Sequence, residues 1–234
     1  MDEKGWLECD IPKVILDHVQ GRLDHRKQRL LACACVRSVW HNLRDERFRA
    51  LVELSEDFAD GRESVELLDH MAKHLFEVAT RTNFLLVLVE PPVSAMAAAM
   101  SVGNRNLAMC LDGARKNALL SAAPCIMDPT EQGTSRPDAE TQLAHSRLVA
   151  NLFRDIIGNP FHPIAMRPDW LAWNGGTVGQ LAETIYDERR YQDLPVLADA
   201  LEDAGCDERE ILDHLRGPKV HVRGCWALDL ARGV

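Results

Sequence analysis

The segment Asn159–Thr177 reads NPFHPIAMRPDWLAWNGGT, and the rest of the chain is organised around it. Its three prolines prevent a continuous helix through the first half, because proline lacks an amide donor and restricts the residue before it. The segment is nevertheless rich in large hydrophobic side chains, namely Phe161, Ile164, Met166, Trp170, Leu171 and Trp173. An apolar but irregular stretch is poorly suited to water. We therefore expect Asn159–Thr177 to form a clasp packed across neighbouring helices.

Helical patterns flank the clasp on both sides. Residues 138–157 place apolar side chains at spacings of three and four, which is typical of one buried helical face. Thr177 with Gln180 matches a capping box at the start of the next helix. Nearer the N-terminus, Asp24 and Asp45 are predicted N-caps. The chain is therefore predicted to be all-α, an irregular multi-helix bundle of about ten helices with an apolar, Pro-rich loop clasp.

Two stretches interrupt this helical pattern. Residues 82–90 (TNFLLVLVE) lack alternation and are interpreted as helix, with one short strand pair as the alternative. Residues 122–137 contain three prolines and a glycine and are the best candidate linker. The predicted organisation is an N-terminal helical region over 1–121, this linker, and a C-terminal helical region over 138–234. One compact domain is the alternative.

Charge and hydropathy exclude several classes of protein. The formal net charge of −9 favours solubility and makes nucleic acid an unlikely partner for the whole molecule. The acidic N-terminus has no apolar core of signal-peptide length, and no apolar run is long enough to span a bilayer. Seven scattered cysteines are interpreted as reduced thiols. We therefore predict a soluble cytoplasmic protein that does not associate with membranes.

Several segments are similar to a known family. They are RLLACACVRSVWHNL (29–43), RDIIGNPF (154–161), WLAWNGGTVGQLAETIYDER (170–189), LPVLADALEDAGC (194–206) and GPKVHVRGCWALDL (217–230). Together they resemble a group of paralogous proteins common in planctomycete genomes, and the resemblance implies no activity, substrate or cofactor. Members of that group tend to carry further cysteines where this chain has Val36 and Leu215. These two departures remove candidate thiolate ligands.

His70 and His74 are the first candidate metal ligands. Four residues apart on a helix, their imidazoles share one face, which is a metal-ligand spacing. The zinc-peptidase motif H-E-x-x-H fails because Met71 follows the first histidine. Two surface histidines on an amphipathic helix are the preferred interpretation.

His221 and Cys225 are the second candidates, with Cys206 and His214 near them in sequence. A metal-dependent or Cys/His hydrolase is the alternative function that they suggest. No C-x-x-C pair or orienting partner accompanies them, so structural packing is preferred. We accordingly predict no cofactor, no catalytic residue and no structural zinc.

The basic stretch 22–49 suggests another alternative function. It holds eight Lys or Arg residues against three Asp or Glu residues. A nucleic-acid accessory protein could use such a helix to contact phosphates through Arg26, Lys27, Arg29 and Arg37. The stretch lacks aromatic interleaving and a recognisable reading motif. Solvated helix faces are the preferred interpretation.

The preferred functional hypothesis is based on the clasp. Trp170 and Trp173 are three residues apart, so one helical turn would project both rings to the same side. We expect one ring in the core and the other partly exposed, bordered by Asn174, Tyr186 and Arg189; burial of both rings is the alternative. Tryptophan is enriched among interface hot spots. The sequence therefore favours a non-enzymatic helical protein–protein interaction module with an unknown protein partner.

Overall fold

The computed structural model describes residues 1–19, 21–81, 98–99, 102–103, 110, 112–116 and 139–234, with the side chains of 79–81 left aside. The chain divides into two compact units. The N-terminal unit comprises Met1 and Leu7–Phe153, and the C-terminal unit comprises Asp2–Trp6 and Arg154–Val234. The predicted linker 122–137 and the ambiguous segment 82–90 lie outside the described residues, so both remain predictions.

The described part of the chain is helical and contains no strand, which confirms the all-α prediction. Short 3-10 turns occur at Trp40–Asn42, Trp173–Gly175 and Tyr191–Asp193. No helix within the described ranges is long and apolar enough to cross a bilayer. The α-helices with described bounds are α1 (Glu3–Glu8), α2 (Pro12–Val19), α3 (His25–Arg37), α4 (Glu46–Ala59), α5 (Val65–Arg81), α6 (Ala139–Ile157), α7 (Pro168–Ala172), α8 (Thr177–Asp187), α9 (Leu194–Asp203), α10 (Arg209–Arg216) and α11 (Trp226–Arg232).

Two predicted caps fix the starts of α3 and α4 in the N-terminal unit. The Asp24 carboxylate accepts from the Lys27 backbone N–H at 2.6 Å, and the Asp45 carboxylate accepts from the Arg47 N–H at 3.0 Å. Each bond satisfies one of the amide donors that a helix leaves unpaired at its first turn. Helix α4 packs against both α3 and α5. Short-range hydrogen bonds from Asp24 and Asp45 therefore determine where α3 and α4 of the N-terminal unit begin.

A buried histidine joins α6 to the end of α3 within this unit. The side-chain hydroxyl of Ser38 donates to the Cys35 carbonyl at 2.6 Å, so its oxygen accepts from Nε2–H of His145 at 2.9 Å. The other ring nitrogen, Nδ1, is buried without a hydrogen-bond partner among the described residues. Burial, followed by the proximity of His41, lowers the pKa of His145 to about 4. His145 is therefore neutral in the fold.

This histidine predicts an acid-sensitive stability. An unfolded histidine has a pKa of about 6.5, so the unfolded chain binds the proton more readily. Stability from this group is complete above pH ~6.5, falls as the pH drops toward ~4, and changes by roughly 3 kcal/mol in total. We expect His145→Gln to remove this part of the pH dependence in denaturant unfolding. The exposed His162→Gln variant is the control, and an unchanged slope in His145→Gln between pH 4 and 6.5 would contradict the assignment.

The C-terminal unit is a small helical cluster with α8 at its centre. Helix α8 packs against α7, α9 and α11, and α10 packs against α9 and α11. Apolar side chains from all five helices form one buried core. The shared core gives this unit a fixed scaffold of short helices.

The clasp is only partly packed onto this core. Trp170 is 2% exposed, while Ile164, Met166 and Trp173 are partly buried against the core. Phe161 is 37% exposed, so the expectation that the whole clasp is packed inward is wrong for its first turn. The backbone explains the difference, because helix α7 begins only at Pro168 and then directs Trp170 inward.

Gly158 allows a close approach that shapes the functional region. It follows α6 with a φ of +76°, in the left-handed region that glycine occupies without strain. A Cβ at this position would lie 3.1 Å from Cγ of Trp226, at the start of α11. The last turn of α6 is thereby brought against the first turn of α11.

Candidate metal centre

Four chemically reactive side chains meet where α6, α10 and α11 come together. Asp155 lies in the last turn of α6, and His214 lies near the end of α10. His221 belongs to the irregular segment between α10 and α11, and Cys225 is the N-cap residue of α11. One ligand atom from each residue lies within 4.8 Å of all the others. Within the described ranges, this is the one group of three or more such donors that converges in this way.

The Asp155 carboxylate is central to the cluster. Its Oδ1 lies 2.6 Å from Nδ1 of His221 and 3.1 Å from Nε2 of His214. The Sγ atom of Cys225 lies 3.3 Å from the same nitrogen of His214 and 3.7 Å from Nδ1 of His221. One oxygen, two nitrogens and one sulfur thus face a common point.

Outer contacts fix the orientation of these groups. The backbone N–H of Val222 donates to Oδ2 of Asp155 at 3.0 Å, which leaves Oδ1 directed at the histidines. The indole N–H of Trp226 donates to Nδ1 of His214 at 3.3 Å. In this arrangement the proton of a neutral His214 ring sits on Nε2, facing Asp155 and Cys225. The imidazole rings of His214 and His221 meet edge to face at 5.0 Å between centroids.

Burial and charge determine the protonation of the acidic members. Burial, followed by the Asp155 charge, raises the pKa of the Cys225 thiol well above its ordinary value. Burial opposes ionisation of Asp155, but hydrogen bonds from His214 and His221 outweigh it, and its pKa is lowered. A carboxylate and a neutral thiol therefore share a dry site. Cys225 is 0% exposed, so its sulfur is closed to any substrate from solvent.

Sequence reasoning found three of these four residues. His214, His221 and Cys225 come together as candidates, whereas Cys206 lies outside the cluster. Asp155 was missed, although a signal for it exists. It lies three residues after Leu152, on the largely apolar buried face of α6. A carboxylate on such a face needs partners, because an isolated buried charge is very costly.

The other candidate metal ligands do not form a centre. His70 and His74 lie exposed on α5, as expected for surface histidines. Within the described ranges, no third His, Cys, Asp or Glu donor converges with them. The pair alone offers two ligands, fewer than a specific zinc site requires.

The candidate phosphate-binding residues are largely engaged within the N-terminal unit. Arg29 is 3% exposed and donates from Nη1 to the Val102 carbonyl at 2.6 Å. Arg37 makes a bidentate pair with Glu56, at 3.0 and 2.8 Å. Arg26 donates to Asp60 at 2.8 Å, and the backbone of Lys27 is bound to the α3 cap. The interpretation of these residues as one solvated basic face is therefore wrong for Arg29.

The candidate partner-binding residues are not all at the surface. Trp170 is buried, and Tyr186 is 1% exposed beneath the Arg232 guanidinium, 3.5 Å from its ring centroid. Tyr186 therefore does not border an exposed surface, which corrects the predicted patch at that residue. Trp173 is partly exposed and Asn174 is exposed, whereas Arg189 follows the opposite end of α8. An 11-residue helix is about 16 Å long, so Trp173–Asn174 and Arg189 are separate features.

Comparison with known proteins finds no matching family model, no similar curated protein and no similar solved structure. Among the described residues, the buried donor cluster and the partly exposed aromatic turn are the two candidate sites.

Proposed function

We propose that this protein is a non-enzymatic helical interaction module that binds a protein partner through the turn carrying Trp173. The observation that carries the proposal is a large aromatic ring held partly exposed on an ordered turn. Tryptophan is enriched among the residues that dominate binding energy at interfaces. A half-buried ring of this kind can anchor a partner without first being extracted from the core.

The turn that presents Trp173 is conformationally fixed. Asn174, Gly175 and Gly176 have φ values of 48°, 70° and 86°, so three consecutive residues lie in the left-handed region. The Gly176 N–H donates to the Trp173 carbonyl at 3.0 Å, and the Thr177 hydroxyl donates to the Asn174 carbonyl at 2.9 Å. Left-handed backbone at a non-glycine residue is strained, and such strain is concentrated at functional sites. A rigid turn also loses little entropy when a partner binds.

The hydrolase alternative is disfavoured by burial. A cysteine nucleophile must be reached by substrate and must ionise readily. Cys225 is 0% exposed, and its pKa is raised well above the ordinary value by burial and by Asp155. Both properties are the reverse of those of an activated thiol. The cluster is better suited to holding the fold together than to attacking a substrate.

The nucleic-acid alternative is disfavoured by the ion pairs of the N-terminal unit. Arg29 is buried, and Arg37 donates to Glu56 through both Nε and Nη2 of its guanidinium. Phosphate binding by these side chains would require internal bonds to be broken. A net charge of −9 adds a general repulsion from polyanions.

We also propose that the protein is located in the cytoplasm. The six described cysteines, including the partly exposed Cys9, are free thiols, which suits the reducing cytoplasm. Membership of the planctomycete group remains a prediction. Neither point identifies the partner.

The test compares partners captured by matched variants of the full chain. We expect Trp173→Ala to keep the fold, by circular dichroism and melting temperature, and to lose one or more proteins that the wild-type chain retains from the native host. Val196→Ala is the matched control, because Val196 is an exposed apolar residue (55%) on α9, outside the turn. The captured proteins are identified by mass spectrometry and their binding is then measured with purified components. Equal binding by wild type and Trp173→Ala would reject the proposal.

A further inference from the structure

We propose that Asp155, His214, His221 and Cys225 form a structural zinc site. The ligand atoms would be Oδ1 of Asp155, Nε2 of His214, Nδ1 of His221 and Sγ of Cys225, which already face one another. Carboxylate oxygen, imidazole nitrogen and thiolate sulfur are the three ligand types that zinc uses in proteins. The inference is independent of the interaction surface at Trp173.

The distances suit a four-coordinate ion after a small expansion. Zinc lies about 2.0–2.3 Å from such ligands, so neighbouring ligand atoms of a tetrahedron are about 3.3–3.6 Å apart. The cluster shows 3.1 Å from His214 to Asp155, 3.3 Å from His214 to Cys225, and 3.7 Å from Cys225 to His221. The contact from His221 to Asp155, at 2.6 Å, must open by less than about 1 Å. The ligand atoms lie within 4.8 Å of one another, so the widest pair must close by about 1 Å.

The charges of the ligands also suit a divalent ion. With Asp155 as carboxylate and Cys225 as thiolate, two negative charges neutralise Zn²⁺, and the two imidazoles bind as neutral ligands. Coordination requires the thiolate, so zinc binding releases the Cys225 proton to solvent. A neutral assembly is well suited to a site in which all four residues are buried.

The site is closed, which makes it structural. Four protein ligands complete a tetrahedron, whereas catalytic zinc keeps one position open for water or substrate. The ligands come from α6, α10, the segment after α10 and the first residue of α11, and Asp155 and His221 are 66 residues apart. A single ion would therefore link the beginning and the end of the C-terminal unit. Small domains with limited cores commonly gain stability in this way.

The proposed site departs from the expectation, drawn from the sequence, that the chain has no structural zinc. The prediction rested on the lack of a C-x-x-C pair and on Val36 and Leu215 where related chains tend to carry cysteine. The assembled site needs neither, because Asp155 supplies the fourth ligand from a helix far away in sequence. The Val222 N–H bond to Oδ2 of Asp155 provides the outer orientation that metal ligands typically have.

Elemental analysis and metal titration of the full chain test the site. We expect one zinc per chain after purification without added metal, and a melting temperature that falls by several degrees on chelation and recovers with Zn²⁺. Cys225→Ser and Asp155→Asn should each weaken zinc binding by more than the roughly 10–100-fold caused by changes to outer partners. Cys206→Ser is the matched control, since that cysteine is also buried but lies outside the cluster.

Cobalt substitution keeps the proposal testable if a variant does not fold. Wild-type protein loaded with Co²⁺ should show a thiolate-to-cobalt charge-transfer band and a tetrahedral visible spectrum. The exposed pair His70 and His74 is the competing binding site, so the His70→Ala/His74→Ala variant should retain both zinc and this spectrum. No zinc uptake by the wild type, cobalt binding without the thiolate band, or loss of binding in the His70/His74 variant would each overturn the assignment.

Trp226 gives a readout at the His214 ligand itself. Zinc at Nε2 moves the imidazole proton to Nδ1, where the Trp226 indole N–H, now 3.3 Å away, can no longer donate. We therefore expect zinc to change the tryptophan fluorescence of the wild type. Trp226→Phe should bind zinc at least as tightly and lack that component of the change. Zinc uptake with identical fluorescence responses in the two proteins would overturn His214 Nε2 as a ligand.

Discussion

Trp170→Ala is expected to lower the free energy of unfolding of the C-terminal unit by about 3–5 kcal/mol, the usual cost of removing a large buried aromatic side chain. Trp170 is 2% exposed and belongs to the shared core of this unit. The Arg167 guanidinium lies over its ring at 5.2 Å from the centroid and is attracted to the aromatic face. Alanine would leave a cavity that short neighbouring helices can close only in part.

Trp173→Ala provides the internal comparison for this measurement. The same residue type is removed three positions further on, but Trp173 is partly exposed, so less apolar surface is lost from the core. Denaturant unfolding of both variants, followed by circular dichroism, should therefore show a much larger shift for Trp170→Ala. Equal destabilisation by the two variants would mean that the clasp is purely structural, and it would remove the main support for Trp173 as a binding residue.

In the C-terminal unit, the donor cluster and the Trp173 turn are connected through helices α11 and α8. Helix α11 begins at the donor cluster and packs along α8, and α8 begins directly after the Trp173 turn. A zinc ion bound by Asp155, His214, His221 and Cys225 would hold α11 in place and thereby support α8. The proposed zinc site and the proposed binding turn would then belong to one helical scaffold.

Local signals in the sequence predicted the helices well. The all-α class follows from apolar spacing, which depends only on residues three and four apart. Asp24 and Asp45 were predicted as caps because a short acidic side chain reaches an amide only two or three residues away. Interactions confined to one turn of helix can be read from the chain without knowledge of its fold.

Capping at α8 shows where local reasoning fails. The pair Thr177 and Gln180 predicts a capping box, but the N-cap residue of α8 is Gly176 and makes no side-chain bond. Thr177 instead donates to the Asn174 carbonyl, and Gln180 donates to the Gly175 carbonyl at 3.2 Å. The helix begins one residue earlier than the capping box predicts, directly after the left-handed residues Asn174, Gly175 and Gly176.

Long-range contacts were beyond prediction from one sequence. Asp155 joins His221 across 66 residues, and nothing in the spacing of either residue indicates that α6 ends against α11. The approach depends on Gly158, whose missing side chain admits Trp226. Arg29 shows the same limit, because its burial against Val102 depends on a contact 73 residues away.

Glu56 is a buried carboxylate that pairs with Arg37. It is 2% exposed, and Arg37 donates to both of its carboxylate oxygens, from Nε at 3.0 Å and from Nη2 at 2.8 Å. The same guanidinium lies over the Trp40 ring at 4.0 Å from the centroid. The pair links α3 to α4, so a residue first considered for phosphate binding has a role inside the fold.

Arg37→Ala should therefore lower the free energy of unfolding by about 3–5 kcal/mol, because it leaves a buried carboxylate without its bidentate partner. Arg47→Ala is the control, since Arg47 pairs with Asp45 at the surface and such pairs contribute about 1 kcal/mol or less. Adding Glu56→Gln to Arg37→Ala should restore part of the loss, because it removes the buried carboxylate charge that has lost its bidentate Arg37 partner. Denaturant unfolding of the wild type, Arg37→Ala, Arg47→Ala and the Arg37→Ala/Glu56→Gln double variant shows whether Arg37 stabilises the fold or instead acts in phosphate binding. If Arg37→Ala unfolds like the wild type and instead weakens a salt-sensitive association with nucleic acid, the guanidinium acts at the surface, and the nucleic-acid alternative replaces the structural one.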